Sequence, residues 1–413
     1  MSLTISAAQV ASFIANPSSF TGYSSGSHVI ISGAITHTQA TALDAVSATY
    51  IQATVSETTI ANLSAISASN TTRSSLNKFS FVVSDTSATA AELTALQALT
   101  SVAVDASNIT SIESSSASDI TTLIALTTAP TGISADPVTV SDTTVSATTL
   151  NTIDTFFSST VTATAATTIT GPLADIETAM SSGGITDSAS VAVTVTDTSV
   201  AAASLNTVNG LTTGVVTCSS ATTVTGTVTA VQAAMTANNA GTIAGIGAAN
   251  VTLDDPDTTG TQSYAVADIH ALIDTAGFTG KVTATVTEVT ADALTNATTG
   301  VTGTGHSLTI TMTDASATAT ELSFISAATI LPVTLDPAGD AITGVESSTY
   351  ATALALFQDS AGFTGLSAST VIVSDAITVA QANALDALTT GAITATISDQ
   401  ALSVLGGLTG TGN

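Results

Sequence analysis

The feature that most constrains this 413-residue chain is an internal repeat. Five segments align: FVVSDTSATAAEL from Phe81, VTVSDTTVSATTL from Val138, VTVTDTSVAAASL from Val193, TITMTDASATATEL from Thr309 and VIVSDAITVAQANAL from Val371. Each reads as a strand, an Asp, a short Ser/Thr turn and a helix-like stretch. Asp85, Asp142, Asp197, Asp314 and Asp375 mark the phase, and Asp254 in NVTLDDPD holds the same place. The steps between the six are 57, 55, 57, 60 and 61 residues. A seventh unit, VIISGAITHTQATALDAV from Val29, puts Gly33 at the Asp position and closely matches VIVSDAITVAQANALDAL from Val371. Each long repeat divides again: VTATAATTITGPLADIETAM from Val161 and VVTCSSATTVTGTVTAVQAAM from Val215 are further strand, turn and helix segments. Seven two-part repeats predict about fourteen coils of about 25–30 residues, the period of a solenoid.

Within the repeats the strand pattern has period two. Leu308, Ile310 and Met312 alternate with Thr309, Thr311 and Thr313, and Val193 and Val195 alternate with Thr194 and Thr196. That alternation gives one buried face and one wet face, and β-branched Thr suits extended backbone on the wet side. Leu93, Leu96 and Leu99, or Leu150 and Ile153, recur at helical spacing. Thr89 with Glu92 forms a capping-box pattern, and Ser146 is placed to be an N-cap. Strand and helix in series require right-handed crossovers and a parallel sheet. The expected fold is therefore an α/β repeat solenoid: an N-terminal capping or assembly segment over 1–28, seven two-coil repeats over 29–399, and a C-terminal cap and tail over 400–413.

Charge narrows the function. Thirty Asp and Glu against three Lys and Arg give a formal net charge of −27. Three cations cannot neutralise a phosphate track, so nucleic acid is not an expected partner, and anionic membrane surfaces repel such a chain. No stretch of about 18 apolar residues free of Ser and Thr predicts a membrane span. The N-terminal sequence lacks the basic and apolar regions of a Sec signal peptide. One Cys, Cys218, rules out an intramolecular disulfide framework and sits where a buried, inert thiol is expected.

Candidate chemistry is sparse. GYSSG at Gly22–Gly26 matches a nucleophile-elbow pattern but lacks its strand and helix flanks. AGFTGK at Ala276–Lys281 lacks phosphate-loop spacing and recurs as AGFTGL at Ala361–Leu366, which marks a repeat loop. His28, His37, His270 and His306 lie far apart and read as turn or surface residues. No convergent titratable set predicts an enzyme. The marker Asp residues read as Asx-turns, with Ca²⁺ bridging along the row as the alternative. The densest calcium candidate is Asp254, Asp255 and Asp257 in LDDPDTTG; no other cofactor is expected. Asn62, Asn70, Asn108, Asn250 and Asn296 stand in N-x-[ST] sequons, so a glycan is compatible with the sequence.

The pattern V-x-V-[ST]-D-T, with its partner T-x-T-G, resembles the Thr/Ala-rich repeats of large surface proteins of marine cyanobacteria and of structural proteins of their phages. The resemblance covers residues 29 to about 405. It implies a non-catalytic structural protein that self-associates into an extracellular surface layer, filament or adhesive stalk at the cell surface. A phage fibre or other virion protein is the alternative implied, and a binding module using a Thr-rich face for ice or glycan is a third reading. Those surface proteins often carry G-G-x-G-x-D calcium repeats, which this chain lacks.

Overall fold

Val and Ile alternating with Thr favour short strands with one dry face. A computed structural model describes residues 1–67, 76–254, 263–287, 290–296, 298–335 and 344–410. The chain is α/β, with alternating strands and helices, and every strand pairing among the described residues is parallel. It divides into two compact units, Met1–Val195 with Gly210–Val215, and Thr196–Asn209 with Val216–Asn413.

In the first unit, one sheet runs in the order Ser2–Ser6, His28–Ile35, Ile51–Val55 and Lys78–Ser80. A second holds Ser87–Ala88, Ser111–Ser115, Val138–Val140, Val161–Thr162 and Ile185–Thr186 as successive neighbours. Thr144–Ser146, Thr168–Gly171 and Ala192–Val195 pair in parallel beside it. In the second unit, Ser199–Ala201, Thr223–Gly226, Asn250–Leu253, Val282–Thr285 and Ser307–Thr309 form one sheet. Ser316–Thr318, Gly344–Ser348, Thr370–Ile377 and Ile393–Ile397 form another.

Several coils contain more strand than the sequence suggests. Val138–Val140 is followed by a bend at Thr143, then by a second strand, Thr144–Ser146, and only then by the helix Ala147–Phe156. The Ser/Thr stretch read as a turn is extended because it carries one inward apolar residue. Val145, Val200, Ala88 and Ala317 all fill that position and are buried.

The dry face is continuous within each sheet. Register pairs Val138 with Val161, Ile169 with Val193 and Val224 with Val251, all fully buried. The facing helices contribute Leu93 and Leu96, Leu150 and Ile153, and Leu322 and Ile325, also buried. Coils approach closely where glycine allows it. Gly132 has φ +95°, and a Cβ there would lie 2.6 Å from the Cα of Ser107 one coil away. Among the described residues no helix is long and apolar enough to cross a membrane.

Candidate functional site

Every helix start leaves backbone N–H groups without intrahelical partners, and this chain meets that need in two layers. The first is local. Thr36, Thr89, Thr318 and Thr378 occupy N-caps, each accepting from the N–H of a Gln or Glu three residues on. That Gln39, Glu92, Glu321 or Gln381 returns its side chain to the cap N–H, closing a capping box. Ser146 is an N-cap by position but makes no side-chain capping bond.

The second layer crosses between coils. The first helical N–H of Ile60 donates to Asp85 Oδ2 at 2.8 Å, that of Ala117 to Asp142 Oδ2 at 2.6 Å, and that of Tyr350 to Asp375 Oδ1 at 2.7 Å, each over 25 residues. Ala291 donates likewise to Asp314 over 23 residues. His37 donates to Glu57 at 2.9 Å and Val379 to Asp399 at 2.7 Å, both over 20 residues. Ser115 and Ser348 take the same place for Ala90 and Ala319, at 2.9 Å each. The Asx-turn expectation is therefore corrected for Asp85, Asp142, Asp314 and Asp375: each carboxylate reaches back one coil and caps the preceding helix. The geometry favours this because the N1 amide points along the helix axis toward the positive end of the dipole. Asp105 does make an Asx-turn, accepting from the Ser107 N–H and hydroxyl, which hold its carboxyl below the ordinary range. Burial pushes the Glu57 carboxyl up. Hydrogen bonds from its own N–H, from His37 and from Ser56 outweigh burial and hold the carboxyl below the ordinary range.

Buried polar side chains satisfy the strand ends. Thr329 Oγ1 donates to the Leu308 carbonyl at 2.8 Å and accepts from the N–H groups of Leu308 at 3.0 Å and Leu331 at 3.1 Å. Thr100, Thr212 and Thr389 repeat the arrangement on Phe79, Val191 and Ser369. These four Thr residues therefore serve the interior rather than the wet face.

His306 is a correction to the surface reading of the histidines, since it is 2% exposed. Its Nδ1 accepts from the Val282 N–H at 3.1 Å, which places the proton on Nε2, facing the Thr302 carbonyl at 3.1 Å. Asn77 plays the equivalent part for the Ile51 N–H at 2.9 Å. Burial, with a smaller contribution from the Lys281 charge, holds His306 below its ordinary value against the effect of Thr302. Of the other histidines, His37 opens a helix against Glu57, His270 bonds the Gly300 carbonyl, and His28 stacks on Tyr50 at 3.9 Å.

The remaining sequence candidates do not converge. Asp254 is exposed at the end of Asn250–Leu253, whereas Asp255 and Asp257 lie outside the described residues. Among the described residues no three His, Cys, Asp or Glu side chains gather closely enough to hold a metal ion. Gly22–Gly26 lies in a loop ahead of His28–Ile35, and Ala276–Lys281 leads into a strand rather than a helix. Cys218 is buried, and its thiol is pushed up to about 11 by burial and the charge of Asp197.

The most distinctive surface lies in the last coil. Residues 28–67 and 370–409 align without a gap, so that Ile35 matches Ile377, Ile51 matches Ile393 and Leu63 matches Leu405. In the first copy, Ile51, Ala53, Val55, Ile60, Leu63 and Ile66 are all buried. In the last copy Ile393, Ala395 and Ile397 are half-buried, and Leu402, matching Ile60, is 85% exposed. An open groove of about 490 Å³ lies along this face, lined by Ile393, Ala395, Ile397 and Leu408 among others. Compared with known proteins, the chain matches no family model, no curated protein and no solved structure.

Proposed function

We propose that the chain is a non-catalytic structural protein. In this reading it is a β-α solenoid of about fourteen coils that builds an extracellular surface layer, filament or adhesive stalk by end-to-end assembly. The observation that carries the reading is the recurrence of one inter-coil device. Carboxylates at a spacing of one coil cap the helix before them, from Glu57 on His37 to Asp399 on Val379. Such a device makes each coil depend on the next, which is what an extended, load-bearing stack requires. The strong negative charge keeps an apolar-rich stack dispersed.

Electron microscopy of the purified protein, at rising protein concentration in high salt, tests the reading. Filaments, layers or long rods are the expected outcome. Monodisperse single particles at every concentration and ionic strength would contradict it.

A further inference from the structure

The face left open on the last coil has its covered counterpart inside the same chain. Strand Ile51–Val55 is covered by the parallel strand Lys78–Ser80, with Ala53 opposite Phe79. Its helix start at Ile60 is capped by Asp85. Strand Ile393–Ile397 aligns with Ile51–Val55 without a gap and shares three of its five residues, Ile393, Ala395 and Thr396. It pairs with Thr370–Ile377 through the same interrupted register that joins His28–Ile35 to Ile51–Val55. Among the described residues no strand covers its far side, and Leu402 and Leu408 are exposed beside it. What fits this face is therefore another parallel strand with an inward apolar row.

The first coil offers one. Among the described residues, strand Ser2–Ser6 pairs on one side only, with His28–Ser32. Its inward row is Leu3 and Ile5, aligned with Val29 and Ile31. Its unpaired edge presents open backbone donors and acceptors. Charge points the same way. In a chain of net charge −27, residues 1–27 carry no charged side chain, and the last coil brings two carboxylates near this face, Asp386 at the groove wall and Asp399, which is engaged by the Val379 N–H. Contact through these two faces therefore meets less repulsion than contact between more acidic surfaces.

We propose that the open face of Ile393–Ile397 is a docking surface for Ser2–Ser6 of a second copy of this chain, joined as a parallel strand in the register already used between coils. This rests on the assembly reading above and names its joint. Carrying the register forward places Ile393 opposite Leu3 of the second copy and Ala395 opposite Ile5. It also sets the outward Thr394 beside Thr4 of that copy. The contact is heterologous, so each joint leaves the same two faces free at the ends and growth continues unless rotation closes a ring.

Thr4→Cys combined with Thr394→Cys tests the register. Both positions are exposed, the native Cys218 is buried, and neighbouring strand positions lie within disulfide range. Oxidation of the double variant should give a covalent ladder on a non-reducing gel. Each single variant, and Thr394→Cys combined with the side-face variant Thr285→Cys, should give none. Ala395→Asp, which puts an unpaired charge on the apolar face, should abolish polymers seen by microscopy while leaving the melting curve in place. Polymers that persist in Ala395→Asp, or that form without the Thr4–Thr394 ladder, overturn this joint and leave the assembly reading standing. A wild-type chain that never associates overturns both.

Discussion

His306 shows how much a single residue of this chain can carry. The sequence gives no sign that this imidazole is buried, because GTGHSL reads as a turn. Only the next strand, packed one coil away, turns it into an acceptor for the Val282 N–H. A proton on Nδ1 would break that bond and put a charge into the interior beside Lys281, the charged group that bears on the ring. The folded-state value lies below the ordinary 6.5, so the neutral ring's contribution is complete above that pH and is lost as pH falls through the folded value. We predict that the melting temperature of the wild type falls more steeply below about pH 6.5 than that of His306→Asn, in which an amide oxygen serves as Asn77 does. Parallel melting curves for the two proteins across pH 5 to 7 would contradict this. Thr329 teaches the same lesson. The T-x-T patterns mark Thr as a wet-face residue, yet position 329 lies inside, bonded to both the N–H and the carbonyl of Leu308.

At the level of the coil, the helices and inward rows were legible in advance. Spacing exposed Leu93 with Leu96 and Leu150 with Ile153, and Thr89 with Glu92 announced a capping box that forms. The split strand was not legible, since Ser and Thr signal turns and extended segments alike. The marker Asp was visible, but its target was not: a spacing of 23 or 25 residues between helix start and Asp was the available signal. Replacing Asp142 with Ala should cost about 0.5–2 kcal/mol, as loss of a helix cap does. It should also speed hydrogen exchange at the Ala117 amide in the helix Ala117–Ile124. Asp142→Asn keeps an acceptor and should cost less. Unchanged stability and exchange in both variants would contradict the inter-coil cap of Asp142 on Ala117. A loss that added calcium restores in the wild type after chelation would instead return these carboxylates to the bridging alternative.

At the scale of the whole molecule, the central proposal is that coils stack within the chain and chains stack through the same strand pairing. The alternation of strand and helix was legible in the sequence. The open last coil was not: 28–67 and 370–409 share 17 of 40 residues and keep apolar residues at the positions of Ile51, Ala53, Val55, Ile60, Leu63 and Ile66, so the pattern does not tell which copy is covered. The most direct test is X-ray diffraction from oriented assemblies of the wild-type protein. Parallel strands joined across molecules along the growth axis predict a meridional reflection near ~4.8 Å, the spacing between neighbouring strands. Oriented assemblies whose strand reflection falls on the equator, or that show none, would contradict it.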